Sequence, residues 1–219
     1  MRPKANKPFQ GGWLWLQRSQ LNLGLALLCG LLFGLEQAGL LPQLQWLALQ
    51  PELIRTDNAW WQLITGNFVH FTPHHLFWNL GALLILTLLF ETEQRWKEDA
   101  LFLMSGALFI GSLLYLTVSE LSQYRGLSGL LYGYTVFYAL KIYGKEKKLC
   151  LALMLFITAR LLWQHSPWFD QSASIDTLGG KVSTEAHLFG YLFGCLGYSG
   201  LRFFSLIKSK RDTSTSVGA

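Results

Sequence analysis

Three short stretches of this chain hold side chains whose types and spacing suit chemistry on a carbonyl group. The first is Gly126-Leu127-Ser128-Gly129. A serine that follows a glycine turn and opens a helix sits among free backbone N–H groups, which favour a developing negative charge. The G-x-S-x-G elbow of soluble hydrolases is not completed, because Leu130 stands at the last glycine position. Taken alone, Ser128 reads as a helix-capping serine. The second stretch is His70-x-x-x-His74-His75-x-x-x-Asn79. Pro73 suits the first turn of a helix, which predicts a start near His74. His75 and Asn79 then stack on one face, and both can donate hydrogen bonds. Three neighbouring histidines leave a zinc site open as a rival reading, and interface histidines bonded to water or backbone as another. No His-Glu-x-x-His pattern or carboxylate partner accompanies them. The third stretch is Glu185-Ala186-His187-x-x-Gly190-x-x-x-Gly194. His187, Gly190 and Gly194 share one helical face, and Glu185 points roughly the opposite way. A lone histidine on a helix serves equally as a packing residue. Gly129 and Gly133 form a second small-residue face, which the Gly190/Gly194 face can approach closely.

The elements that must carry these residues are apolar. Hydrophobic residues make up 51% of the 219, and charged residues only 14%, about half the share of a soluble domain. A soluble globule and intrinsic disorder are both poor fits. Six apolar stretches cover roughly 20–41, 75–91, 99–119, 127–143, 148–163 and 184–207. The first is long enough to span a bilayer, and too long, with no small-residue cleavage site after it, for a cleavable signal. The fold class expected is an all-α polytopic membrane protein with six transmembrane helices. Basic residues orient it: with the N-terminus in the cytoplasm, every Lys and Arg except Arg55, Arg125, Arg160 and Lys181 falls on the inner side. Both termini are then cytoplasmic, and the net charge of +5 is a topology signal, not a nucleic-acid patch. Residues 1–19 form a cytoplasmic segment, 20–207 the six-helix domain, and 208–219 a polar, disordered tail. Residues 42–74 become an outer loop rich in Trp46, Trp60, Trp61 and Phe68, aromatics that suit the headgroup level. Cys29, Cys150 and Cys195 have no disulfide or zinc spacing and read as packing residues.

Depth joins the three stretches. Counted up from charged inner ends at about 1.5 Å per residue, His75, Ser128 and His187 all reach a level roughly 5–10 Å below the outer edge of a core about 30 Å thick. A serine, two histidines and an amide at one level in three separate spans make a site suited to acyl transfer. Water must reach it, so a cavity is expected at the outer face. Ionisable and polar groups at such depth are functional candidates.

On these residues the chain resembles the rhomboid intramembrane serine proteases, over roughly residues 20–207. The resemblance implies that Ser128 is the nucleophile and His187 its general base and acid, with no third acid. Tyr132, one turn after the serine, would stack on His187. His75 and Asn79, with the backbone N–H groups of Ser128 and Leu127, would hold the oxyanion. Gly126, Gly129, Gly190 and Gly194 would shape the site. Trp61 falls on the family's loop tryptophan, and Gln62 stands where an arginine is usual, which puts that arginine's role in question. Glu91 and His70 would be structural. No metal or organic cofactor is implied. The partners implied are membrane-anchored protein substrates with a transmembrane helix, in the lipid bilayer. The small size and the motifs YRGLSGLLYG and EAHLFGYLFG are most similar to the rhombosortase subgroup. That implies a bacterial inner membrane and substrates with C-terminal Gly-Gly sorting tails. A non-catalytic relative that escorts membrane helices is the alternative, though such relatives usually lack the serine or the histidine. A transporter fits less well, since no inverted repeat is visible and only Glu36 and Arg160 are stray ionisable candidates.

Overall fold

The apolar stretches fold as helices. A computed structural model describes the backbone of residues 11–40, 42–90, 93–172, 175, 178–180 and 183–216. Glu91 and Lys181 lie outside the described residues. The long helices are α1 (Gly11–Gln37), α4 (Pro73–Leu89), α5 (Trp96–Thr117), α6 (Ser128–Ile142), α7 (Lys147–Gln164) and α8 (Thr184–Ser216). Between α1 and α4 the chain forms a 3-10 turn (Pro42–Leu47) and two short helices, α2 (Pro51–Asp57) and α3 (Gln62–Thr65). Among the described residues there is no β-strand, only an isolated antiparallel bridge between Leu49 and Tyr124. The protein is all-helical. Ser19–Gln37 and Trp96–Thr117 are long and apolar enough to cross a membrane.

Two ends differ from the apolar stretches. α1 starts at Gly11, and α8 continues to Ser216. The segment Lys208–Ser216 is polar but holds no Pro or Gly, so nothing stops the backbone ladder there.

α6 forms the centre. All its residues except Ser128, Leu140 and Lys141 are buried, as expected of a helix apolar on every side. Its far end is tied by polar contacts: Tyr138 donates to Asp99, and Lys141 pairs with Glu98 at 3.0 Å. Along its length α6 meets α8 backbone to backbone. A Cβ at Gly190 would lie 1.9 Å from the Gly129 carbonyl oxygen, and one at Gly194 2.4 Å from that of Gly133. Only glycine permits this approach, and it fixes the depth of Ser128 relative to His187. The outer helices α1, α4, α5, α7 and α8 expose large apolar side chains, among them Leu31, Phe77, Leu101, Leu155 and Phe204. So much apolar surface calls for hydrocarbon around it.

Candidate active site

Ser128 is held from its N-terminal side. The Leu49–Tyr124 bridge, with N···O distances of 3.0 and 2.8 Å, docks the segment before α6 onto the first loop. Gly126 N–H donates to Gly66 O, and Tyr124 O–H to Gly126 O at 2.8 Å. Arg125 pairs with Glu36 at 2.9 Å, both nearly buried, and thus ties the same segment to the end of α1. Glu36 is therefore a loop-bonding residue. Gly126 has φ +127°, outside the range of L side chains, and a Cβ there would lie 2.7 Å from the His75 ring.

The serine does not cap its helix. Leu127 occupies the cap position with no side-chain bond, and Ser128 is the first helical residue. Its Oγ lies 2.8 Å from His187 Nε2. The N–H groups at this helix end have no intrahelical acceptor, as at any helix start. His187 is buried, and its ring lies parallel to that of Tyr132, with centroids 4.2 Å apart and an angle of 3°. On its other nitrogen, Nδ1, stands the amide oxygen of Gln164 at 2.8 Å. The Tyr132 hydroxyl donates to that same oxygen at 3.2 Å.

His75 and Asn79 lie on one face of α4, which begins at Pro73 with Thr72 as its cap. They face Gly126, two residues before the serine. Asn79 Nδ2 donates to its own helix at His75 O, 3.0 Å away, and His75 Nδ1 is buried without a protein partner among the described residues. The His75 ring is held instead by Phe71, stacked at 6.0 Å, and by the edge of His70 at 5.1 Å. His70 sits in the loop before α4. Burial, then the neighbouring His75 and the Arg125 charge, push its imidazole down to about 3, so it stays neutral. His74 points to the outside.

The structure thus brings together Ser128, His187, Tyr132, His75, Asn79, Gly126, Gly129 and Gly190. Gly194 lies one turn deeper on the seam. Trp61 stays peripheral, half exposed, donating to Trp46 O at 3.2 Å. Gln62, at the position of the expected arginine, is fully buried: it donates to Trp46 O at 2.8 Å and accepts from Gln50 N–H at 2.9 Å. It pins the first loop with two neutral hydrogen bonds. Gln164 and Arg125 were not anticipated. In sequence Gln164 is only a polar residue at the end of an apolar stretch; its meeting with His187 depends on how α7 packs beside α8.

The serine and histidine open onto a cavity of about 780 Å³. Its walls run down α4 from His75 through Asn79 and Ile85 to Leu89, and down α7 from Gln164 through Arg160 and Phe156 to Leu153, with α6 as the floor. A groove this long, open between two helices, has room for an extended or helical segment.

Compared with known protein families, residues 57–202, well over half of the chain, match the Rhomboid domain. The chain belongs to the rhomboid family. No curated protein matches it significantly. The matched segment contains α3 to α7, most of α8 and every candidate site residue. Rhomboids are integral membrane proteins, usually intramembrane serine proteases, that act on membrane-embedded substrates. The apolar exterior of this rhomboid agrees with that setting.

Proposed function

We propose that this rhomboid is an intramembrane serine endopeptidase with a Ser128–His187 dyad. The observation that carries the reading is the 2.8 Å contact between Ser128 Oγ and His187 Nε2 at the head of an open cavity. His187 takes the Ser128 hydroxyl proton as Oγ attacks the scissile carbonyl. The oxyanion is met by backbone N–H groups of Ser128 and Leu127 at the start of α6, and by the His75 and Asn79 side chains across the cavity. Asn79 Nδ2 carries two hydrogens: one is donated to the carbonyl of His75, and the second serves the oxyanion. His187 then gives its proton to the leaving amine, and water, again deprotonated by His187, hydrolyses the acyl-enzyme. The cavity between α4 and α7 supports lateral entry of a substrate helix, unwound where it meets the serine.

Six spans (α1 and α4 to α8) with both termini cytoplasmic follow from the charge distribution, and place cleavage near the outer membrane boundary. The resemblance to rhombosortases narrows the substrates to C-terminal Gly-Gly sorting tails of surface or secreted proteins in a bacterial inner membrane.

The test is fluorophosphonate labelling of the purified protein in detergent, beside cleavage of a membrane-anchored Gly-Gly tail. Wild type labels and cleaves; Ser128→Ala and His187→Ala lose both, a drop of at least about 10³-fold, while still folding. Undiminished activity in either variant overturns the dyad. A folded wild type that neither labels nor cleaves moves the assignment to a helix-binding, non-catalytic rhomboid.

A further inference from the structure

Three helices, not two, build the environment of the His187 ring: α8 carries it, and α6 and α7 contact it. Tyr132 of α6 covers its face, Ser128 of α6 meets Nε2, and Gln164, the last residue of α7, meets Nδ1. Gln164 is buried, and its amide oxygen has two neighbours, the ring nitrogen at 2.8 Å and the Tyr132 hydroxyl at 3.2 Å.

This contact bears on the proton. A neutral imidazole carries one N–H, and which nitrogen holds it is set by the partner of the other. Ser128 O–H can be deprotonated only by a nitrogen with a free lone pair, so Nε2 must be bare and Nδ1 must carry the hydrogen. Once the ring has taken the serine proton, both nitrogens are N–H donors, and Nδ1–H then needs an acceptor. The amide oxygen supplies one in both states; the amide N–H₂ group in that place would suit neither. Tyr132 O–H, donating to the same oxygen, favours that orientation of the amide. A carboxylate would do the same with a formal charge, at a desolvation cost in a buried site. The neutral amide avoids that cost.

We infer that Gln164 is the positioning residue of the dyad: its amide oxygen holds His187 through Nδ1–H and so presents the Nε2 lone pair to the Ser128 hydroxyl. The inference rests on the serine-protease reading above and adds a third member to it. No bond to substrate is made by Gln164; it acts through His187. Its place at the end of α7 also explains why α7 must close against α6 and α8 at this level.

The experiment is the kinetics of fluorophosphonate labelling of the full chain, resolved into a maximal rate and a half-saturating probe concentration, across pH. Gln164→Met keeps the length and removes the acceptor. Its maximal rate should fall about 10- to 100-fold, with the half-saturating concentration within about twofold. Gln164→Glu restores the acceptor and should recover the rate to within about fivefold of wild type at its own optimum. A carboxylate there stabilises the protonated ring, so the acid limb of its pH profile moves to higher pH. The other groups around the ring, Tyr132 and Ser128 on α6, Arg160 on α7, His165 just after α7, and His75 on α4, are unchanged in these variants. A purely structural role would lower the stability of Gln164→Met without the selective fall in maximal rate, and Gln164→Glu would then recover no rate. Gln164→Met labelling at the wild-type rate overturns the inference, and so does an unmoved acid limb in Gln164→Glu, which decides the matter even if the Met variant does not fold. A wild type that labels no faster than Ser128→Ala overturns the protease reading itself, and this inference with it.

Discussion

The seam between α6 and α8 and the gap between α4 and α7 meet at Ser128, and they are built on opposite terms. In the seam, backbones touch: glycine faces carbonyl, and no side chain can intervene. In the gap, bulky apolar side chains such as Trp78 and Phe156 stand apart, more than half exposed. The serine and histidine straddle the seam and are in hydrogen-bond contact. His75 and Asn79 stand on the wall of the gap and make no bond to them. On the proposed mechanism, the part of the site that must be right before substrate arrives is set by packing too close for any side chain. The part proposed to respond to a developing charge, His75 and Asn79, is carried by a helix with room beside it. A rigid serine–histidine pair beside a yielding wall suits the proposed lateral admission of a large substrate.

The seam is broken most severely by a methyl group. In Gly190→Ala the new Cβ would start 1.9 Å from the Gly129 carbonyl oxygen, so the helices must part by more than 1 Å. A displacement of that size costs about 100-fold or more in rate, and the overpacking about 1–3 kcal/mol of stability. Labelling of Ser128 should fall by at least that factor, with a lower Tm. Wild-type labelling in Gly190→Ala would show that the seam does not set the dyad. On the gap wall, His75→Ala and Asn79→Ala should each lower kcat about 100-fold by removing a proposed oxyanion donor. Neither should change Tm by much, since neither side chain bonds to another element through hydrogen bonds. A rise in KM with unchanged kcat would reassign them to substrate docking.

The two regions also differ in how legible they were. The seam was readable because helical periodicity and glycine size are local properties: Gly129/Gly133 and Gly190/Gly194 fall on faces that any α-helix would present together, and those faces do meet. The six long helices were readable within a few residues, except at Gly11 and Ser216, where backbone hydrogen bonding outruns apolar composition; the short α2 and α3 fall in the stretch read as a loop. His75 and Asn79 were placed on one face by i,i+4 spacing, but their hydrogen bonds were not, since Asn79 turns back on its own helix. Gln164 and the Arg125–Glu36 pair were hidden for a different reason. Each joins segments far apart in sequence, through a contact created only by tertiary packing. Gln62 likewise carries no pattern; a buried glutamine that spans from Gln50 N–H to Trp46 O is intelligible only once the first loop is folded.

The mildest change sharpens the comparison most, because it separates entry from chemistry. Phe156 lies on the gap-facing side of α7, two turns from Gln164, largely exposed, and lines the cavity away from the dyad. Phe156→Ala should leave Ser128–His187 as it is, so labelling by a small fluorophosphonate stays within about twofold of wild type. On the proposed lateral route a transmembrane substrate passes between α4 and α7, and a narrower side chain there widens the passage. Its cleavage should rise about two- to fivefold, through KM or the entry rate and not through the pH profile, since opening the gap alters access by about the cost of moving one aromatic side chain. The same variant measured with both probes has three readable outcomes. A gain with the helix alone supports lateral entry. A parallel loss with both probes would mean that α7 packing, through Gln164, is coupled to the dyad. An unchanged rate with both would place the substrate's route elsewhere, over the outer face, and leave the gap as lipid-filled space.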